Sequence, residues 1–408
     1  MPRVLIADKL AEVARTQLQE GGCEVIWDPS LADEALVAAL VEHDPEVLVV
    51  RSTKVRAEHL QAAASLALVV RAGAGVNTID LATASSRGVF VSNCPGTNSV
   101  AVAELTWGHI LNADRRIADG VADLRAGTWK KKTYSKAHGV YGRTLGVLGM
   151  GAIAREVVKR AQGFGMPVVA WSRSLTDELA AELGVRRMDS AVEVAKRAQV
   201  LSVHLAATPA TRGFVGPAIF DALPNGAIFV NTSRGEVVDQ DALVKAVTEK
   251  GIKAGLDVYL GEPGGDGPWE TEVAGLQGVY GTHHIGASTT QAQEAVASEA
   301  CRVILDFAAS GDAPNCVNLA ERTPATHLMV VRHVDEVGVL ARILDLLRHA
   351  GINVAKMQNI IFAGPDGGAG GAACARIQLE GEPPDSVLDL LRRADPIFDV
   401  KLVSLEDA

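Results

Sequence analysis

Aromatic side chains are scarce in this 408-residue sequence, at 4%, and no stretch approaches the roughly 18 uninterrupted apolar residues of a membrane helix. A helical membrane anchor is not expected. Cations are short as well: 39 Lys and Arg stand against 49 Asp and Glu, a net charge of -10. That balance opposes the counterion release that drives binding to nucleic acid or anionic lipid, so neither partner is expected. An anionic ligand must instead be caught by a local positive pocket. Cysteines number five, and Cys23, Cys94, Cys301, Cys316 and Cys374 lie far apart, which suggests neither a disulfide framework nor a C-x-x-C metal or redox site. No metal is expected, and a reducing, cytoplasmic setting fits. The start, MPRVLIADKLAEVA, carries one early cation and an apolar run that Asp8 ends, too short for a secretory leader.

What is present is aliphatic and glycine-rich: 48% hydrophobic residues and 40 Gly, a composition that favours an α/β interior. At about 150 residues per domain the length implies two or three compact units. Short β-branched runs at Val4–Ala7, Glu24–Trp27, Glu46–Arg51, Ala67–Arg71 and Val89–Ser92 alternate with helix-length segments, the pattern of parallel strands joined by right-handed crossovers. Pro95 interrupts this series, and Ser99 is placed to cap a long helix that ends near Arg115 and Arg116. A second series begins at Thr144, with strands at Thr144–Gly149, Pro167–Trp171, Gln199–Leu205, Gly226–Asn231, Lys253–Val258 and Gly278–Gly281. Another long helix spans Thr289–Ser310. Two long helices flanking an inserted domain suit a hinge between lobes with a ligand cleft between them. The last eighty or so residues read as strand Thr326–Val331, helix Val337–Ala350, strands Asn353–Phe362 and Ala373–Glu380, helix Pro384–Ala394 and strand Phe398–Leu405. This is the ferredoxin-like βαββαβ order, with Gly364–Gly371 as a hairpin loop.

Within the second series, strand TLGVLG leads into Gly149-Met150-Gly151-Ala152-Ile153-Ala154 and an amphipathic helix. In this G-x-G-x-x-A form Gly149 permits a tight turn, Gly151 lets backbone approach a pyrophosphate, and Ala154 lets helix pack on strand. The amides at the helix start then face the anion. About twenty residues on, where an acidic residue normally meets the ribose of NAD, stand Ser172 and Arg173. Missing negative charge removes repulsion against a 2′-phosphate and Arg173 can pair with one, which suggests NADP; the alternative is an Arg173 that only faces solvent.

Three further motifs fall at strand ends: Asn231-Thr232-Ser233-Arg234-Gly235, Leu256-Asp257-Val258 with Glu262-Pro263, and His284-Ile285-Gly286-Ala287-Ser288. Oxidising a 2-hydroxy acid needs a proton acceptor at the hydroxyl, a cation for the carboxylate, and a cofactor face for the hydride. A histidine, an arginine and a dinucleotide supply these three. A carboxylate beside the imidazole raises its pKa, and Glu262 fits that role. Taken singly, His284 reads equally as a polar core residue, with His283 as a rival, and Arg234 with Glu262 as a structural ion pair.

Through RAGAGVNTID, GRTLGVLGMGAIAREV, NTSRGEVVD, GLDVYLGEP and HIGAST, the sequence resembles the D-isomer-specific 2-hydroxyacid dehydrogenases over its whole length. The implied fold is two doubly wound parallel-sheet lobes plus a C-terminal ferredoxin-like ACT domain. The lobes are a flavodoxin-like substrate lobe, residues 1–97 and 289–318, and a Rossmann lobe, residues 98–288; the ACT domain takes residues 325–408. The resemblance implies that Arg234 binds the substrate carboxylate and keto oxygen, that His284, which precedes Ile-Gly, is the acid/base, and that Glu262 orients it. It also sets Gly149, Gly151, Ala152, Ile153, Ser172, Arg173, Leu205, Thr232, Ser233, Arg234, Asp257, His284, Ile285, Gly286 and Ala287 against NAD or NADP. Ala74, Gly75, Val76 and Asn98 would meet the substrate. Arg51 and Arg71 match positions that bind the phosphate of 3-phosphoglycerate, and a guanidinium pair at strand ends makes a good phosphate clamp. Lys130, Lys131 and Lys132 either add charge to the cleft mouth or form a solvated face.

The implied reaction is oxidation of 3-phosphoglycerate to 3-phosphohydroxypyruvate, the first step of a phosphorylated route to serine. An NADPH-preferring hydroxypyruvate or glyoxylate reductase is the alternative among enzymes; a dinucleotide-sensing, corepressor-like binding protein is the alternative outside them. In the C-terminal module, which resembles an ACT domain through HVDEVGVL and GINVAKM, His333, Asp335 and Asn353 match residues that meet L-serine in inhibited relatives. ACT domains usually pair between chains, so a homo-oligomer, dimer or tetramer, is expected; a dimerisation module without effector is the alternative.

Overall fold

The computed structural model describes residues 1–320, 322–364 and 368–405. It divides into two compact units, Met1–Asn318 and Leu319–Ala408. In the first unit, β1 (Arg3–Ile6), β2 (Glu24–Trp27), β3 (Val47–Val50), β4 (Leu68–Arg71) and β5 (Phe90–Asn93) form a parallel sheet in the order β2-β1-β3-β4-β5. This is the flavodoxin-like order. Strand β3 is apolar throughout and fully buried because helices cover both faces of a parallel sheet, whereas the edge strand β2 opens with an exposed Glu24.

A second parallel sheet contains β6 (Leu145–Leu148), β7 (Val168–Trp171), β8 (Arg186–Arg187), β9 (Val200–Val203), β10 (Ile228–Asn231), β11 (Lys253–Leu256) and β12 (Val279–Gly281). Their order is β12-β11-β10-β9-β6-β7-β8. The direction of winding reverses at β6, and beyond the carboxyl ends of such a switch point a doubly wound sheet opens its ligand crevice. Each long strand read from the sequence is present. The two-residue β8 was not anticipated, because a pair of exposed arginines at a sheet edge carries no apolar signal.

The helix Ser99–Arg115 leaves the first lobe and packs on the second, burying Ala103, Trp107, Ile110 and Ala113 in one core with Val147, Ala154 and Val230. Asn98, not Ser99, occupies its cap position; Ser99 is already helical and buried. The helix Thr290–Ser310 returns to the first lobe, placing Val296, Ala300 and Ile304 against Val4, Ile6 and Val49. Here Thr289, read as the first residue of the helix, is instead its cap, the hydroxyl accepting from the Ala292 amide at 3.1 Å. Each fully buried Leu, Ile or Val side chain contributes about 1.5–3 kcal/mol, so these contacts fix both hinge helices firmly.

The second unit is an antiparallel sheet of β13 (His327–Val334), β14 (Val354–Ala363), β15 (Ala369–Leu379) and β16 (Ile397–Ser404) in the order β14-β15-β13-β16. With helices Val339–His349 and Asp385–Arg392 on one face this is the expected βαββαβ unit, consistent with an ACT-like domain. Alternate residues Met329, Val331, Ile377 and Leu379 meet Ile343, Leu347, Leu388 and Leu391 from the helices. Strand β15 begins at Ala369, inside the run read as a loop, since ladder pairing needs only backbone. Residues 365–367 of that run lie outside the described residues. Among the described residues no helix is long and apolar enough to cross a membrane, and all five cysteines are free.

Candidate active site

The glycine-rich turn follows β6 as the sequence implies. Gly149 has φ 92°, and a Cβ there would lie 2.4 Å from the His204 carbonyl oxygen and 3.2 Å from Leu205 Cδ2. Only glycine fits this turn. Gly151 is different: a Cβ on it would meet nothing within 4 Å, so open space stands before the start of the twelve-residue helix Ala152–Gly163. A pyrophosphate at that helix start would find the amide ends and the positive end of the dipole. Ala154 is fully buried beneath it. The donor set and the space therefore fit a dinucleotide. Past β7, Ser172 is half-buried and its hydroxyl lies 3.4 Å from that of Ser174, while Arg173 is exposed. His204, which sequence reasoning missed, binds the Ser202 hydroxyl through Nε2 at 2.8 Å, and burial pushes its pKa down to about 4.

The loop after β10 is clamped by Asn231. Its buried Oδ1 accepts from the Ser233 amide at 3.0 Å and hydroxyl at 2.7 Å, and its Nδ2 donates to the Arg234 carbonyl at 2.9 Å. Arg234 Nη1 donates to the Ser233 carbonyl at 2.7 Å. The rest of its guanidinium reaches the first lobe, where a Cβ on Gly75 would be 3.4 Å from Nη2. Thr232 meets Thr106 of the interlobe helix, oxygen to oxygen, at 2.8 Å.

In the first lobe, Asp8 lies just past β1 and organises the turn after β3. It accepts from the amides of Arg51, Ser52 and Thr53 at 2.7, 3.0 and 2.9 Å. Burial pushes its carboxyl up, but these amides outweigh that and hold it below its usual range. Arg71 ends β4 and donates through Nε to the Arg51 carbonyl at 3.0 Å. Burial, then the positive charges of Arg234 and Arg51, lower its pKa. Three arginines from two lobes thus share one neighbourhood, a concentration of positive charge that an anion would relieve. The loop carrying Ala74, Gly75 and Val76 is fastened by Asn93 Nδ2, which donates to the Ala74 carbonyl at 2.6 Å. Asn98 stands at the start of the helix Ser99–Arg115, its carboxamide making no capping bond.

His284 and Glu262 meet through Nδ1 and Oε1, and Glu262 Oε2 accepts from the Tyr259 amide at 3.1 Å. It is His284, not the adjacent His283, that the carboxylate engages. The hydrogen bond to Glu262 raises the His284 pKa, while burial and Arg234 oppose it. Burial pushes Glu262 up, yet the His284 bond and the Tyr259 amide hold it below the ordinary carboxylate range. With Nδ1 engaged, Nε2 is left to face a reactant. Asp257 is 1% exposed and braces the same loop: Oδ1 accepts from the Ile285 amide and Oδ2 from the Gly286 amide, both at 2.8 Å. Ile285 is exposed and Ala287 half-buried.

Lys130 pairs with Asp123 at 2.8 Å, and Lys130 and Lys131 line a groove with Ile117, Val121, Leu124 and Trp129 rather than with the three arginines. Lys132 is exposed. In the C-terminal unit, His333 is buried with Nδ1 beside the Val334 carbonyl at 2.7 Å and Nε2 beside Asn359 Oδ1 at 3.1 Å. Asn353 donates to Glu380 at 2.9 Å. His333 pairs with Ala373, and Val354 with Leu379, so Asn353 lies at the other end of the sheet, about 20 Å away. Half-buried Asp335 begins the turn after β13.

Residues 107–286 match the family model of the D-isomer specific 2-hydroxyacid dehydrogenase, NAD binding domain. A D-3-phosphoglycerate dehydrogenase of Methanocaldococcus jannaschii is 39% identical over 321 residues, 78% of this chain. The chain spans 60% of the length of that relative. Among solved structures, a protein of Thermus thermophilus superimposes with a TM-score of 0.68 at 32% identity, covering 77% of this chain and 99% of that one. An NAD+-bound 3-phosphoglycerate dehydrogenase of Entamoeba histolytica gives a TM-score of 0.64 at 25% identity, covering 78% and 99%.

Proposed function

The chain belongs to the D-isomer-specific 2-hydroxyacid dehydrogenases, and from that membership we propose that it oxidises 3-phosphoglycerate to 3-phosphohydroxypyruvate. The observation that carries this reading is the grouping of Arg51, Arg71 and Arg234 beside the His284–Glu262 pair. A reactant with a carboxylate at one end and a phosphate at the other matches positive charge divided between the Arg234 loop and the ends of β3 and β4. Arg234 holds the carboxylate and the C2 oxygen. His284 Nε2 takes the hydroxyl proton as the C2–H bond breaks, and Glu262 steadies the imidazolium that results. The bound nicotinamide supplies the hydride acceptor. For reduction the same proton returns from His284, which its raised pKa favours.

NAD is the cofactor that the family description and the Entamoeba relative support. Exposed Arg173 beside Ser172 supports use of NADP as well, and the same pair favours the second reading, an NADPH-dependent reductase of hydroxypyruvate or glyoxylate. In this account residues 1–97 and 289–318 bind substrate, 98–288 bind the dinucleotide, and 325–408 are a regulatory ACT domain. The separation of His333 from Asn353 favours an L-serine site built by two copies, hence a homo-oligomer.

Specificity constants for 3-phosphoglycerate and D-glycerate with both cofactors test this. The expected result is a preference for the phosphorylated acid of about tenfold or more, the effect of one charge-assisted phosphate contact. Equal constants for the two acids, with faster NADPH-dependent reduction of glyoxylate, would favour the reductase. Absence of turnover with every 2-hydroxy acid would reject both.

A further inference from the structure

The interlobe helix Ser99–Arg115 turns Val102, Thr106 and His109 toward the second lobe, spaced four and three residues apart on one face. Each touches a loop of the proposed site. Val102 Cγ2 lies 3.4 Å from where a Cβ on Gly286 would stand. The Thr106 hydroxyl donates to the Val102 carbonyl at 2.8 Å, so toward Thr232 it accepts. His109 Nε2 lies 3.1 Å from the Thr282 hydroxyl. A histidine this deep, 4% exposed on a helix packed against a sheet, calls for a reason.

The donors can be counted. Thr282 has one hydroxyl hydrogen and gives it to Asp257 Oδ1 at 2.6 Å, so its contact with His109 takes the imidazole N–H as donor. Burial lowers the His109 pKa, against the opposing charge of Asp257, and so favours the neutral ring, in which the contact with Thr282 sets the N–H on Nε2. Asp257 in turn holds the amides of Ile285 and Gly286. These follow His284, whose φ of 54° is a left-handed conformation that a side-chain-bearing residue keeps only when its surroundings impose it. The approach is close: a Cβ on Gly255 of β11 would lie 2.5 Å from His109 Cβ, so the bare strand at 255 is what lets the imidazole reach Thr282.

We propose that His109 is a positioning residue, which through Thr282 and Asp257 fixes the loop that aims His284 at the substrate. An apolar side chain of similar size would fill the space but leave the Thr282 oxygen without its donor. The proposal rests on the dehydrogenase reading for its kinetic consequence, not for its structural one.

The test compares wild type with H109L, T282V, the H109L/T282V double variant and H109Q, whose amide can replace the Nε2 donor. One readout is kcat and KM for 3-phosphoglycerate; the other is the titration of the His284 ring by NMR in the protein without substrate. H109L and T282V are each expected to lower kcat about threefold to tenfold, the worth of one buried hydrogen bond, with KM within about twofold. The double variant is expected to match either single one, and H109Q to regain most of the loss. In H109L and T282V, His284 is expected to titrate nearer an ordinary histidine as its contact with Glu262 slackens among Arg234 and Asp257. An H109Q as impaired as H109L, additive losses in the double variant, or an unmoved His284 titration would overturn the proposal. If wild type turned over no hydroxy acid the functional reading would fail, while the NMR titration would still decide this one. Should H109L fail to fold, T282V and H109Q provide the same comparison.

Discussion

Replacing Glu262 by Gln separates the two services that its carboxylate renders to His284. The amide oxygen of Gln can still accept from Nδ1–H, so ring orientation survives while the negative charge is lost. A hydrogen bond to a charged partner is worth about 1.5–3 kcal/mol when shielded. Here the side chains of His284 and Glu262 are 45% and 31% exposed, so solvent screening reduces that to about 1–2 kcal/mol. At about 1.4 kcal/mol per factor of ten, E262Q is expected to lose about fivefold to thirtyfold in kcat. The pH dependence supplies the sign. Glu262 raises the His284 pKa, and oxidation requires neutral imidazole, so wild-type oxidation falls as pH drops through that raised value. Without the charge the pKa falls, and the acid limb of the E262Q profile moves to lower pH. For reduction, which requires the protonated ring, the alkaline limb moves the same way. Glu262→Ala removes orientation too and is expected to lose more, toward the factor of about 100–10,000 typical of a general acid–base group. The assay is cofactor absorbance against pH in both directions. An E262Q acid limb that stays in place or moves to higher pH refutes the reasoning.

Three other outcomes follow from the same geometry. Arg71→Ala is expected to raise KM for 3-phosphoglycerate about tenfold to a hundredfold, the loss of a charge-assisted contact, while KM for D-glycerate changes by less than about threefold; steady-state kinetics on both acids checks this. Gly149→Ala forces a Cβ within 2.4 Å of the His204 carbonyl, and a denaturant melt is expected to show about 2 kcal/mol or more of lost stability. Arg173→Ala is expected to lower the specificity constant for NADP by about tenfold and that for NAD by less, if its guanidinium meets the 2′-phosphate.

Much of the architecture was legible because its causes are local. Short apolar runs such as VLVV and LGVL, recurring between helix-length segments, read as strands buried on both faces, and Gly149-x-Gly151 before a helix carries its geometry in its glycines. The pairing of Glu262 with His284 was expected from chemistry, since a proton-transferring imidazole needs an orienting carboxylate, and the two do meet. What the sequence hid depends on tertiary approach. Asn231 and Asp8 stand in the sequence as ordinary polar residues at strand ends; only the folded chain shows them gathering amides around the Arg234 and Arg51 turns. The resemblance sets Asp257 beside the cofactor, while the structure adds its grip on the His284 loop. His109 gave no signal at all, because its partner Thr282 is remote in sequence and its access depends on a glycine in another strand. The three effector positions in the C-terminal unit were implied by resemblance through two short motifs, and one copy of the sheet holds two of them at opposite ends.

The central claim is that one cleft joins an imidazole base, a carboxylate-gripping guanidinium and a dinucleotide, so that the proton and the hydride leave the same carbon–oxygen unit. Oxidation of 3-phosphoglycerate carrying deuterium at C2, followed by mass analysis of the reduced cofactor, tests it most directly. The account predicts one deuterium recovered on the cofactor and a slower reaction in the His284→Ala variant by about a hundredfold or more. Deuterium appearing in water instead, or a His284→Ala variant as fast as wild type, would contradict it.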